Sequence, residues 1–170
     1  FSVLLGHGNE HLAEQALQRA AKLSPDSCKV LMAERSLARE RADVRREDEI
    51  ATRLAACSGS LSLRARLAET RGRWDEARAY WDAAVAADAT DLVAVYQQGR
   101  LSAVTGSELD AGEQALRRIL AADPLPESLS RAATHWRLGQ ILDKLGRRED
   151  AVAALAEAVR LDPRLEDAKK

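Results

Sequence analysis

The sequence predicts an all-α solenoid of about four and a half helical hairpins. Three observations lead there: small and apolar residues recur at fixed distances, glycine and proline punctuate the units so marked, and helix formers dominate the composition. Aromatic residues make up 4% of the chain and proline only 4 of 170 residues, while Ala, Leu, Arg and Glu are abundant, all of them good helix formers except where packing overrides propensity. Almost no sheet is expected.

The clearest unit is the last, "HWRLGQILDKLGRREDAVAALAEAVRLDP". Counted from Gly146, small or apolar residues stand at plus five (Ala151), plus nine (Leu155) and plus twelve (Ala158), with Pro163 at plus seventeen and Gly139 seven before. A helix, a glycine turn, a second helix and a proline stop make an αα-hairpin. Glycine inside a helix costs about 1 kcal/mol against alanine, so Gly139 predicts that the partner helix approaches too closely for a side chain.

Taken in order, residues 1–25 form a partial unit in which Gly8 is followed by Ala13, Leu17, Ala20 and Pro25 at the same offsets. Phe1 then falls where the close-contact residue of a first helix belongs, so the chain is expected to open halfway through a unit. Residues 26–57 are a degenerate unit: a first helix near Ser27 to Arg41 and a second near Val44 to Cys57, joined by "RERAD" without a glycine. In 58–89, Gly72 gives Ala77, Trp81 and Ala84, with Ala89 in place of the proline and Ala65 as the close-contact residue. In 90–124, Gly99 stands seven before Gly106, and one inserted residue brings Gly112, Leu116, Ile119 and Pro124 into line. Seven extra residues around "LPESLSR" precede the final unit, 128–163, and 164–170 reads as the start of a further helix. With both edges bare of a polar cap, the chain reads as a fragment of a longer array or of a multidomain protein.

This pattern resembles the tetratricopeptide repeat, a helix-turn-helix unit of about 34 residues. The resemblance is strongest over 130–163, good at 59–89 and 1–25, fair at 90–124 and weak over the degenerate unit; His135 beside Trp136 replaces the usual aromatic. It implies a right-handed superhelix whose first helices line a concave groove. Ten residues before each turn, a groove-facing place in that family, stand Ser62, Tyr96 and Trp136, with Val30 in the second unit; six before stand Arg66, Arg100 and Gln140, with Glu34, and Lys144 lies further along the last unit. Arg66, Tyr96, Arg100, Trp136, Gln140 and Lys144 are therefore the expected partner-binding residues, aromatic anchors flanked by Arg suiting a peptide or partner helix with acidic groups. The competing reading is that Tyr96 and Trp136 pack between adjacent first helices. The Lys and Asn set by which chaperone-binding members hold a C-terminal carboxylate is replaced by Val30, Glu34, Leu63 and Gln97.

Other chemistry has little purchase. In "HGNEH", Gly8 puts His7 at the end of one helix and His11 at the start of the next, so they read as turn residues, and no metal or cofactor is expected. No nucleophile motif or phosphate loop occurs, and the chain is not expected to be an enzyme. Lys+Arg 26 against Asp+Glu 27 leaves a charge of −1, so no global field recruits nucleic acid or a membrane. The arginines between Ala33 and Arg53 interleave with acids and read as a solvated helix pair laced with i,i+4 ion pairs. Trp74 and Trp81 read as packing residues. Cys28 and Cys57 read as reduced, partly buried packing residues; the competing reading is a single bridge, because one opens a helix and the other closes the antiparallel helix after it. A non-catalytic interaction scaffold is the functional expectation, with a regulatory or targeting segment of a larger enzyme as the alternative and end-to-end self-association as a third reading. Cytoplasmic and periplasmic locations both stay open.

Overall fold

A computed structural model describes residues 10–165 of the chain, so His7, Gly8 and the expected half-helix at Phe1 lie outside the described residues, as does most of 164–170. The described residues form α1 (Glu10–Leu23), α2 (Cys28–Glu40), α3 (Val44–Ser58), α4 (Leu61–Thr70), α5 (Trp74–Ala87), α6 (Leu92–Thr105), α7 (Leu109–Ala121), α8 (Arg131–Lys144) and α9 (Arg148–Leu161), with no strand among them. They divide into two compact units, residues 1–71 and 72–170.

In the first unit α1 packs on α2, α2 on α3 and α3 on α4. One core cluster joins Leu31, Ala38, Ile50 and Leu54, with Cys28 and Leu63 partly packed against it, and Ala51, Ala55, Ala65 and Ala68 are buried as well. Ala13 and Leu17, placed by the register from Gly8, are both buried. Side-chain caps open α3 and α4. The Asp43 carboxylate accepts from Arg46 N at 3.0 Å, and Ser60 Oγ accepts from Leu63 N at 3.3 Å, each satisfying an orphan donor of a first turn.

The turn between α2 and α3 settles how the degenerate unit aligns with the others. At the end of α8, Leu145 N donates to Ile141 O, Gly146 N to Asp143 O and Arg147 N to Leu142 O; Gly146 sits at φ 77°. Arg41, Ala42 and Asp43 repeat that pattern to Leu37, Arg39 and Ala38, with Ala42 at φ 53°. Ala42 thus occupies the glycine's place, in a left-handed conformation that is costly for a residue with a Cβ. This corrects the expected groove positions of the second unit by two residues: Met32 and Ser36, not Val30 and Glu34, stand ten and six before the turn.

In the second unit α5 packs on α6, α6 on α7 and α8, α7 on α8, and α8 on α9. The close approach expected from the in-helix glycines is present. A Cβ at Gly99 would lie 2.5 Å from Leu116 Cγ, and one at Gly139 would lie 2.6 Å from Leu155 Cγ. Leu116, Leu138, Ile141, Leu142 and Ala151 build the core around these contacts, while Leu125 and Leu129 from the seven-residue insertion cover Val95, Ala115 and Ile119. The single inserted residue before α7 is taken up by Glu108, at φ 50°. Where Ala89 replaces proline, α5 still ends, because Asp88 N closes on Ala84 O and the Asp88 carboxylate accepts from Thr90 N at 2.8 Å, an Asx-type stop.

Three expectations are corrected here. Cys28 and Cys57 are bridged, with Cα atoms 5.8 Å apart, because α2 and α3 run back to back and bring the start of one beside the end of the other. Trp74 is 43% exposed; as the first residue of α5 it has no preceding turn to pack on, whereas Trp81, two turns further, is fully buried. The ion pairs of the charged stretch run mainly between helices rather than at i,i+4 along them: Glu47 accepts from Arg35 at 3.3 Å and Arg39 at 2.5 Å, and Arg46 reaches Glu34 at 3.3 Å as well as Glu49 of its own helix at 3.7 Å. Arg41 likewise reaches back to Glu14 on α1.

Candidate functional site

Five of the six expected groove residues lie on two packed helices of the second unit, Tyr96 and Arg100 on α6 and Trp136, Gln140 and Lys144 on α8. Equal spacing from the turns at Gly106 and Gly146 puts Tyr96 level with Trp136 and Arg100 level with Gln140. Both rings are half-buried. Tyr96 leans on two parts of the core, the cluster around Leu116 and the cluster around Val95, so packing and partial exposure coexist in one side chain. Arg100 Nε donates to Gln97 Oε1 at 2.5 Å, which orients the guanidinium, and Arg137 donates to Gln140 Oε1 at 2.9 Å. Lys144 Nζ donates to Ala103 O at 2.7 Å, where it satisfies a carbonyl at the end of α6 and complements that helix's negative pole.

Arg66 belongs to the first unit. It is exposed on α4 and lines a shallow hollow with Arg35, Glu47, Asp48, Leu63 and Leu67. Met32, in the corrected groove register of the same unit, is 53% exposed.

Sequence reasoning passed over a second constellation on α7, α8 and α9. Glu113 accepts from Arg117 at 2.8 Å and from Arg147 at 2.9 Å, and Arg147 also holds Asp150 at 2.7 Å, so one carboxylate ties α7 to the turn before α9. Nearby, His135 opens onto a hollow lined by Arg117, Leu120, Leu138, Ala154 and Glu157. Its Nδ1 is buried without a hydrogen-bond partner. Burial pushes the imidazole below its ordinary value of 6.5; Glu157 opposes this, and Arg131 and Arg160 reinforce it. The signal in the sequence was its place: a histidine where the repeat usually puts an aromatic sits against apolar neighbours.

The described residues contain no group of three or more His, Cys, Asp or Glu side chains arranged to hold a metal ion. His11, the described half of the "HGNEH" pair, is exposed at the start of α1. Among the described residues no helix is long and apolar enough to cross a membrane.

A family model of the tetratricopeptide repeat matches residues 132–165. Among solved structures, the chain is similar to MamA at 14% identity, with a TM-score of 0.64 over 92% of this chain and 89% of that one. A MamA fragment from Desulfovibrio magneticus RS-1 aligns at 18% identity and a TM-score of 0.63, over 80% of this chain and 76% of that one. YrrB, described as a TPR protein with an unusual peptide-binding site, aligns at 16% identity and a TM-score of 0.68, over 94% of this chain and 85% of that one. At these identities the likeness is one of fold. No curated protein matches the sequence. The last hairpin thus matches a tetratricopeptide-repeat model, and the likeness that runs along the rest of the chain is one of fold, the all-α helical-hairpin solenoid of tetratricopeptide-repeat structures.

Proposed function

We propose that the chain is a non-catalytic protein-interaction scaffold that takes a peptide or partner helix across α6 and α8. One observation carries the reading: two packed helices present an aromatic ring and, one turn on, a hydrogen-bonding side chain at equal register, Tyr96 with Arg100 and Trp136 with Gln140. Amphipathic rings supply contact area at low entropic cost, and a guanidinium can hold a carboxylate bidentately. The peptide-binding site named for YrrB supports the class of ligand. Arg66 and Met32 hold the corresponding register places in the first unit and are proposed as a contact surface of that unit by itself.

Selection of peptides from a displayed library on the intact chain, followed by calorimetry of the best binder, tests this. Tyr96→Ala and Trp136→Ala should each weaken binding about tenfold or more, as hot-spot aromatics do. For an acidic ligand, Arg100→Ala should flatten the salt dependence of binding at the second unit, and Arg66→Ala that of any binding at the first. A selected peptide that binds all these variants with unchanged affinity would refute the site.

A further inference from the structure

In the second unit, helices that turn back on one another cross through residues without bulk. A Cβ at Gly139 would meet Leu155 Cγ and lie 3.3 Å from Ala151 O; one at Gly99 would meet Leu116 Cγ and lie 3.1 Å from Gly112 O. The α2–α3 hairpin is built differently. Counted from Ala42, whose hydrogen bonds match those of Gly146, the places of Gly139 and Ala151 hold Arg35 and Glu47. Small residues at the crossing have become an ion pair, 3.3 Å long and with both side chains about a quarter exposed. Such pairs are screened by water and hold helices together weakly. The buried apolar residues of the hairpin are Leu31 and Ala38 on α2 and Ile50, Ala51, Leu54 and Ala55 on α3, three of the six being alanines.

What closes this hairpin at its open end is covalent. Cys28 is the first residue of α2 and Cys57 the last but one of α3, and the bridge between them spans a sequence separation of 29. Together with the turn at Ala42, it fixes the hairpin at both ends. A cross-link of that span removes much of the freedom of the open chain. Cys57 is exposed and Cys28 half-buried, so a thiolate in solution meets the Cys57 sulfur first.

We propose that the Cys28–Cys57 bridge is a reducible clasp that substitutes for the missing small-residue crossing: bridged, it holds α2 and α3 together, and reduced by a small thiol it lets this hairpin open. In the exchange, a thiolate RS⁻ attacks Cys57 Sγ, the bond to Cys28 Sγ breaks, and the Cys28 thiolate takes up a proton. A second thiol attacks the mixed disulfide, frees Cys57 as a thiol and leaves as RSSR. Two thiols are oxidised and one bridge is reduced. The clasp is independent of whatever the α6 and α8 surface binds.

Hydrogen exchange read by mass spectrometry on the whole chain, with and without dithiothreitol, tests the clasp, with alkylation mass reporting the state of both sulfurs. On reduction, amides of α2 and α3 should exchange at least tenfold faster, while those of α8 and α9 change less than twofold. Cys28→Ser, Cys57→Ser should exchange like the reduced chain under both conditions; should that variant fail to fold, the reduction series on the native chain decides alone. In dithiothreitol, Arg35→Ala, Glu47→Ala should recover protection in α2 and α3 by restoring a small-residue crossing. Unchanged exchange with both thiols free overturns the proposal, as does isolation of the chain without reductant and with both cysteines unbridged. Loss rather than recovery of protection in Arg35→Ala, Glu47→Ala overturns the substitution of bridge for packing.

Discussion

Single side chains show how far register alone carries. Trp81 and Leu116 were legible as core because their offsets from a turn glycine fixed the face they share, and both are fully buried. Trp74 was not, since its position at the very start of α5 removes the neighbouring turn that would cover it. His135 combines both cases: its place was readable, but its unpartnered Nδ1 depends on how α7 and α9 close around α8. A histidine whose folded pKa is depressed binds its proton more readily in the unfolded chain. Its stabilising share is therefore present above the unfolded value, near 6.5, and is lost as pH falls through that value toward the folded one. The melting temperature should drop as pH is lowered from neutral to about 5.5, a window set by the ordinary histidine pKa. His135→Phe should show a shallower drop than the native chain. Equal slopes in a calorimetric pH series would mean that the imidazole is not burdened by burial.

Between helices, the decisive contacts are those of small residues. Gly112 was placed at the plus-five position by allowing one inserted residue, and the structure shows why it is glycine: a Cβ there would run into Ser102 Cβ and lie 3.0 Å from Ile141 Cδ1. The Ser102 Cβ is fixed to its backbone and cannot swing aside. Gly112→Ala gains about 1 kcal/mol of helix propensity but must push α6 and α7 apart, for which overpacking costs of about 1–3 kcal/mol are usual. Denaturant unfolding should show it less stable than the native chain despite the better helix former; a more stable variant would show that the crossing can widen freely. Helix ends follow a second rule that the sequence hid. Arg131 donates to Leu120 O at 2.6 Å and Ala122 O at 2.7 Å, Arg64 donates to Ala55 O at 3.2 Å, and Lys144 serves α6 in the same way. Long cations from following helices cap the carbonyl ends. Such reach across elements has no short-range spacing and so escapes a reading by period.

For the chain as a whole, composition and punctuation foretold the all-α hairpins, because each helix end leaves a mark in glycine, proline, serine or aspartate. The groove residues were legible only as positions; their exposure and partners come from packing. A charge of −1 means that attraction between molecules is opposed by almost no net repulsion, so solubility should pass through a minimum slightly below neutral pH and recover on either side. A solubility curve without that minimum would point to a patch dominating the surface instead. The turn at Ala42 carries a wider lesson for chains of this kind. It preserves every backbone hydrogen bond of its glycine counterpart while erasing the letter by which the repeat is counted. Two residues of miscounting rotate a position by roughly 200° around a helix of 3.6 residues per turn, close to the opposite side. Mutagenesis guided by letters would have scanned Val30 and Glu34; guided by the hydrogen bonds of the turn, it moves to Met32 and Ser36, and a worn repeat becomes addressable again.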